Sequence, residues 1–504
     1  MDNPFYLQDQ PGAAQSQGWL DAWTTQGSPY AVEALSAADV AAAVTFASDN
    51  SLRLVIKGAG HDYLGRNNAA DSFLIWTHKM RDVIVRRDFV PQGSEQTPTT
   101  AISVGAGTRW LEAYEAATAA DLYVQGGGCT SVGASGGFTQ GSGFGSFSKR
   151  FGTGSGGVLE FEVVTASGDI VVANQSQNAD LFWALRGGGG ATFGVVTRTT
   201  LLAHPIPGSM GTVSGLISAK SDSAYRRLLR KVADLMPALD NPSWGDLIKF
   251  TPENTVELAL LFLDLSKAEA ESVFTPLQKW VAKQNDIESD LEFRRLPFKD
   301  LWNAAAQPDF VTRDTRPNQP ANQYWWKGNQ GEVSWFIASY HSRWLPESEF
   351  TNPQKVADLL FEASRHHWNI VQLNKGLAGE AEEARSRDLT TSLRPSAFDA
   401  LALILVADAA NGVFPGVPGY EPNQDELATK RDQVNSAIRV FREALPESGS
   451  YANEADYFEQ DWQNEFWGEN YPRLLEIKQQ WDPFNLFKVH HGVGSEAPGS
   501  WEKQ

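Results

Sequence analysis

The sequence predicts an α+β chain built in two parts, and three observations carry that prediction. Up to about residue 205, short strands and helices alternate around loops crowded with glycine. After His204-Pro205-Ile206-Pro207-Gly208 the texture changes to longer helices and longer strands, as far as about residue 444. The final stretch then turns rich in Gly, Trp and Tyr again, so the chain is expected to return to its first part. The expected borders are 1–205, 206–444 and 445–504.

The elements follow in order. Residues 37–44 (AADVAAAV) read as a helix and 52–56 (LRLVI) as a buried strand ending at Gly58. Residues 73–76 and 101–104 are further strands, and 110–120 a helix. The run 158–166 (VLEFEVVTA), a Ser167-Gly168-Asp169 turn and 170–172 make a hairpin. Residues 182–185 and 193–199 bracket four consecutive glycines, Gly187 to Gly190. Beyond the texture change, 257–263 and 333–342 are strand-like and 399–407 is an apolar run. Helices are expected over 225–236 and 267–283; Ser266 can cap the second, and Pro276 is expected to kink or split it.

Composition narrows the function. Of 504 residues, 42% are hydrophobic and 20% charged, as in ordinary globular proteins. The formal charge of −19 repels phosphate backbones, which argues against nucleic-acid binding. The single cysteine, Cys129, excludes an internal disulfide and a multi-thiolate zinc site. No apolar run reaches the roughly 18 residues a membrane span needs. Residues 1–19 lack the basic and apolar regions of a secretory signal as they stand, while the Asn174-Gln175-Ser176 sequon permits secretion.

Several short motifs fail on context. Gly152-Thr153-Gly154-Ser155-Gly156-Gly157 fits G-x-G-x-x-G but runs into a strand, so a pyrophosphate there would lack a helix N-terminus. Gly133-Ala134-Ser135-Gly136-Gly137 fits G-x-S-x-G, yet its flanks offer neither the strand nor the helix that a Ser135 nucleophile would need. The pairs His366-His367 and His490-His491 are expected to point to different faces, without carboxylate-rich neighbours, so no metal site is expected.

Two loops remain. Thirteen of the 44 glycines fall within 126–157, a concentration that lets backbone lie directly against a ligand. In the loop 57–67, the small residues 58–60 expose successive N–H groups as a nest for an anion such as a pyrophosphate, and His61 follows at once. The second loop, 125–145, carries Cys129, a thiol set among glycines and not packed like a core cysteine.

With these segments in view, the chain resembles the vanillyl-alcohol oxidase and p-cresol methylhydroxylase flavoprotein superfamily. Within it, the chain resembles the berberine-bridge-enzyme-like oxidases. The resemblance rests on VIKGAGHDYLGRN (55–67), VQGGGCTSVGASGGFTQGSGFGSFSKRFG (124–152), VLEFEVVTASGDI (158–170), NADLFWALRGGGGATFGVVTRTTL (178–201) and FWGENYPRLLEIKQQWDPFNLF (466–487), and covers nearly the whole chain. It implies a PCMH-type FAD-binding domain in two segments, and a substrate domain whose antiparallel sheet, covered by helices, roofs the flavin. It further implies FAD joined covalently to His61 and Cys129, which would raise the flavin's potential. By the same carry-over Lys57, Gly58, Ala59, Gly60, Asp62, Gly128, Ser131, Gly133 and Gly137 contact the cofactor, with Val163 and Asn453 beside them.

The resemblance implies an oxidase that removes hydride from an alcohol, hemiacetal or activated carbon and passes electrons to O2, giving H2O2. Ring-forming or non-redox chemistry, a serine hydrolase at Ser135 and a cofactor-free carbohydrate-binding protein are the competing readings. Val132, three positions after the cysteine, is the residue that goes with oxygen use in relatives. Where plant relatives place a tyrosine in the glycine loop this chain has Phe144, and the facing strand 400–405 is wholly apolar. Tyr451 is then the expected base, its phenol made more acidic by a nearby cation or the flavin pocket. Asp456, Gln372 and Asn374 are the next candidates. Aromatic rings of the second domain, among them Trp325, Trp326, Trp335, Tyr340 and Trp344, are expected to supply the substrate face.

Overall fold

The computed structural model describes residues 2–503. Three sheets position the site. A parallel sheet pairs Tyr30–Glu33, Phe73–Trp76 and Leu54–Lys57, in that spatial order. The helix Ala37–Asp49 covers it with Val40, Ala43, Val44 and Ala47, and Ser36 caps that helix by accepting from the Asp39 N–H. Beside it lies a six-stranded antiparallel sheet containing the hairpin Val158–Val164 and Ile170–Ala173, the strand Val195–Pro205, and Thr99–Gly105. The glycine run 187–190 lies between the helix Ala179–Leu185 and the strand Val195–Pro205.

The third sheet has nine strands. Its middle runs Ser209–Ala219, Thr255–Leu263, Trp244–Phe250, Asn369–Gln372, Ala400–Ala410 and Trp335–Pro346, all antiparallel. The helices Asp222–Leu235, Lys267–Val281, Pro353–Ser364 and Gln424–Ala444 contribute their apolar stripes to one large core with these strands. Residues 400–405 read as an unbroken hydrophobic run because both faces of the strand are buried, Ala402 and Ile404 in this core and Ala400, Leu403 and Leu405 in clusters outside it.

Two expectations are corrected. Pro276 neither splits nor ends its helix, which runs unbroken over Lys267–Val281 behind the Ser266–Glu269 capping box. Pro276 and Ser272 both lie on the exposed side, where water takes the carbonyl that loses its N–H partner. The second concerns the N-terminus: Ser16–Trp19 pairs in parallel with Trp335–Pro346, so an early segment of the presumed first domain edges the large sheet. A Cβ at Gly18 would lie 2.4 Å from the Phe336 ring, so only glycine fits there.

The tail comes back to the first part through buried bonds. Lys478 Nζ donates to the Thr192 and Phe487 carbonyls, both at 2.7 Å, and to Asp482 at 2.6 Å. Trp467 Nε1 donates to the Gly187 carbonyl at 2.9 Å. Among the described residues no helix is long and apolar enough to cross a membrane. The Asn174 side chain is fully buried and donates to the Gln92 carbonyl and Glu160, so the sequon presents no free amide.

Candidate active site

The three glycine-rich stretches meet around one cleft that encloses about 830 Å³ with its open mouth. Its walls are residues 56–62, 132–140 and 190–196. A Cβ on Gly190 would fall 2.7 Å from the Gly137 Cα, so two of the walls touch backbone to backbone. At Gly128, Gly136 and Gly137 a Cβ would meet nothing within 4 Å; Gly136 and Gly137 line the cleft, so their side would otherwise be filled. Gly60 holds φ at +80°, which turns the first loop back on itself after the strand Leu54–Lys57.

His61 and Cys129 come together at Ser131. His61 Nε2 lies 3.0 Å from Ser131 Oγ, and Cys129 Sγ lies 3.5 Å from the same oxygen. Nδ1 is left as the ring nitrogen outside that bond. Burial lowers His61 to about 4, so the imidazole is neutral near pH 7. Burial raises Cys129 to about 11 and keeps it a thiol. Trp326 Nε1 donates to the Gly128 carbonyl at 2.9 Å, fixing the loop just before Cys129.

The other expected residues divide. Gly58, Ala59, Asp62, Gly133 and Val132 line the cleft, and Asp62 is held by Arg66 at 2.7 Å. Lys57 also borders it, but its buried ammonium points away, donating to the carbonyls of Gln10, Pro11 and Ala13 at 2.7–2.8 Å. Val163 is wholly buried, with Cγ1 2.7 Å from where a Gly194 Cβ would lie, so it backs the wall. Asn453 Nδ2 donates to Gly137 O at 3.2 Å and to Tyr451 Oη at 3.0 Å.

Tyr451 departs from its expected character. Its Oη accepts from the Gly143 N–H at 3.2 Å and from Asn453. Burial, reinforced by Glu454, holds the phenol above its ordinary range and outweighs those two bonds, so it is less acidic than a free tyrosine. Phe144 is core as well, at 5% exposure, packed edge-on against Tyr451 and near Trp344. Trp325 packs on Phe5 and donates to Gln330, and Trp344 is fully buried. Trp335 and Tyr340 join Tyr63 in one ring cluster, and Asn374 is buried beside Lys375.

The rejected motifs have structural roles. Ser135 is buried, with Oγ 2.5 Å from Thr199 Oγ1, no strand before it and only the four-residue helix Gly137–Gln140 after it. The loop 152–157 runs into the strand Val158–Val164 and receives Asp388, which accepts from the Thr153 N–H and Oγ1, both at 2.8 Å. His490 and His491 do not point apart: their rings stack at 3.9 Å, because φ of +51° at His491 bends the chain back. Among the described residues no three His, Cys, Asp or Glu side chains are placed to hold a metal ion.

Sequence reasoning missed a group beside Cys129. Tyr63 Oη lies 3.5 Å from Glu332, whose carboxyl is raised to about 7 by burial and then by Glu454. Glu454 is itself ion-paired with Lys375. Tyr63 stands two residues after His61, a legible cue; Glu332 ends the short 3-10 helix Lys327–Glu332, whose sequence KGNQGE carries no apolar pattern.

Comparison with known proteins agrees with this architecture. Residues 29–174 match the family model described as FAD binding domain, and residues 450–494 the model described as berberine and berberine like. An FAD-linked oxidoreductase of Gibberella zeae is 31% identical over 469 residues, which are 93% of this chain and 76% of that protein. The VAO-type flavoprotein MtVAO615 of Myceliophthora thermophila superposes with a TM-score of 0.75 at 27% identity, covering 92% of this chain and 79% of that one. The glucooligosaccharide oxidase of Acremonium strictum shares the fold, with a TM-score of 0.71 at 18% identity over 97% and 95% of the two chains. The cleft suits such a cofactor: bare glycine backbone on facing walls, open space at Gly136 and Gly137, and His61 on its lining with Cys129 linked to it through Ser131. The chain belongs to the berberine-bridge-enzyme-like FAD-linked oxidoreductases of the vanillyl-alcohol oxidase superfamily.

Proposed function

We propose that this protein is an oxidase whose FAD is held by two covalent bonds, at His61 and at Cys129. The observation that carries the reading is Ser131 Oγ, 3.0 Å from His61 Nε2 and 3.5 Å from Cys129 Sγ, although His61 and Ser131 are 70 residues apart in sequence. Two loops that far apart bring a neutral imidazole and a thiol to one point at the end of a glycine-walled cleft. Ser131 engages Nε2, which leaves Nδ1 as the nitrogen free to bond. The glucooligosaccharide oxidase of Acremonium strictum carries a 6-S-cysteinyl, 8α-N1-histidyl FAD, an attachment of the same two kinds. FAD supplies the capacity to accept a hydride and return the electrons to oxygen.

In this reading residues 1–205 and 445–504 hold the cofactor, and residues 206–444 cover its substrate face. The substrate is a small molecule with an oxidisable alcohol, hemiacetal or activated carbon, and the second product is H2O2. Val132 on the cleft wall shapes the place where oxygen reacts. We assign Tyr451 to positioning: its oxygen holds the Gly143 N–H and Asn453, which in turn binds the loop at Gly137. Denatured protein is expected to stay yellow, with an intact mass one FAD above that of the chain. His61→Ala and Cys129→Ala each keep one bond, and the double variant releases flavin on denaturation. Complete release of flavin from the denatured wild type refutes the double attachment. A screen for peroxide release against sugars, alcohols and phenolics tests the oxidase reading separately.

A further inference from the structure

One part-exposed carboxyl near the attachment point lacks a salt bridge among the described residues. Asp62 is balanced by Arg66, and Glu454 by Lys375. Glu332 makes no ion pair among the described residues; its polar neighbours are the Tyr63 hydroxyl and Asn329. A carboxylate taken out of water without a cation is costly, and structures retain one where something else supplies the charge. The surroundings suit a particular kind of cation. Tyr63, Trp335 and Tyr340 pack on one another with ring centroids 5.0–6.1 Å apart, forming an aromatic wall beside the carboxylate. Glu332, Tyr63 and Trp335 are all part-exposed, whereas Tyr340 is buried, so the acid and two of the rings present surface to solvent. Both phenols are held well above their ordinary range by burial, and so stay neutral with intact π faces.

We propose that Glu332 anchors a positively charged amine of the substrate, held against the Tyr63, Trp335 and Tyr340 rings. This inference rests on the reading that the protein oxidises a small molecule at a flavin joined to His61 and Cys129, and it narrows the substrate class to amine-bearing molecules. It also fixes a pH dependence. The groups facing Glu332 are Tyr63 from the first loop, Cys129 from the second, Glu454 and Lys375, and Asn329 on its own segment. Of these, Lys375 is already ion-paired to Glu454. Glu332 is protonated below about 7, so binding a permanent cation must displace that proton. Affinity for such a cation then falls about tenfold for each pH unit below that point.

The test is calorimetric titration of the flavin-loaded protein with choline and with its uncharged isostere 3,3-dimethylbutan-1-ol. At pH 8 choline is expected to bind at least about tenfold more tightly, the scale of a desolvated cation–π and carboxylate contact. Glu332→Gln is expected to bring the two ligands within about threefold of each other, and Tyr340→Leu to weaken choline while Tyr340→Phe does not. Lowering the pH from 8 to 6 weakens choline for the wild type and leaves the isostere unchanged. Equal affinities in the wild type, no binding of either ligand, or a preference that survives Glu332→Gln overturns the proposal. If Glu332→Gln does not fold, the wild-type pH comparison decides alone. Loss of flavin on denaturation bears on the attachment and leaves this titration untouched, so the two readings fail separately.

Discussion

Replacing Gly156 by alanine should weaken the whole molecule, although the residue binds nothing. A Cβ there would lie 1.5 Å from Asp388 Oδ1 and 2.6 Å from its Cγ. Asp388 is fully buried and sits at the end of the helix Glu382–Asp388, so it cannot swing into solvent. It must retreat and give up its bonds from the Thr153 N–H and Oγ1. Hydrogen bonds to a charged group contribute ~1.5–3 kcal/mol each, which makes the loss ~3–6 kcal/mol. Net stabilities run only ~5–15 kcal/mol. At ~2–4 °C per kcal/mol for a domain of this size, even the lower figure moves the apparent Tm by ~6 °C or more. Gly157→Ala is the control, since its Cβ would meet only carbonyls at 3.7 Å, an ordinary contact; its effect should stay within ~1 kcal/mol. Both variants are compared with wild type by scanning fluorimetry at one fixed scan rate. If Gly156→Ala melts within ~2 °C of Gly157→Ala, the socket for Asp388 does not carry the stability assigned to it.

Three further outcomes are expected. Val132→Leu should slow flavin reoxidation by oxygen while leaving anaerobic reduction by substrate nearly unchanged, as stopped-flow traces of the two half-reactions would show. Tyr451→Phe removes the acceptor for the buried Gly143 N–H, so it should cost ~1–3 kcal/mol in urea unfolding while the covalent flavin remains. Glu380, beside Asp388, is raised from 4.5 to about 10, first by burial and then by Asp388. Because its folded pKa exceeds the unfolded one, its contribution is complete below about 4.5 and declines as pH rises toward about 10. Glu380→Gln should therefore flatten the alkaline fall in Tm, and an unchanged slope between pH 6 and 10 would count against the raised Glu380 carboxyl.

Local patterns in the sequence located most of the first part. Ser36 and the small apolar repeat after it mark a helix, and VLEFEVVTA-SGD-IVV marks a hairpin, because both elements close on near neighbours. His61 and Cys129 were legible because each stands in a glycine loop that no packed element would want. Their meeting at Ser131 was not, since nothing local encodes a contact across 70 residues. The burial of Phe144 and Tyr451 was not legible for a related reason: in sequence an aromatic residue looks the same whether it faces a ligand or the core. Glu332 left no trace, because an isolated acid in a short polar 3-10 helix has no periodicity to betray its surroundings.

The parallel pairing of Ser16 with Trp335 also says something about how the chain comes off the ribosome. The strand Ser16–Trp19 is made 319 residues before its partner. At ~5–20 residues per second, that strand waits ~15–60 s with its backbone unpaired and Trp19 exposed. The glycine-loop half can collapse on its own contacts in the meantime, but the large sheet has no edge to offer the waiting segment until Trp335–Pro346 has been made. Pairings of such high contact order close slowly and are prone to mispairing. A slower-translated version of this protein is therefore the one expected to aggregate, through the strand Ser16–Trp19 and not through its glycine-loop half.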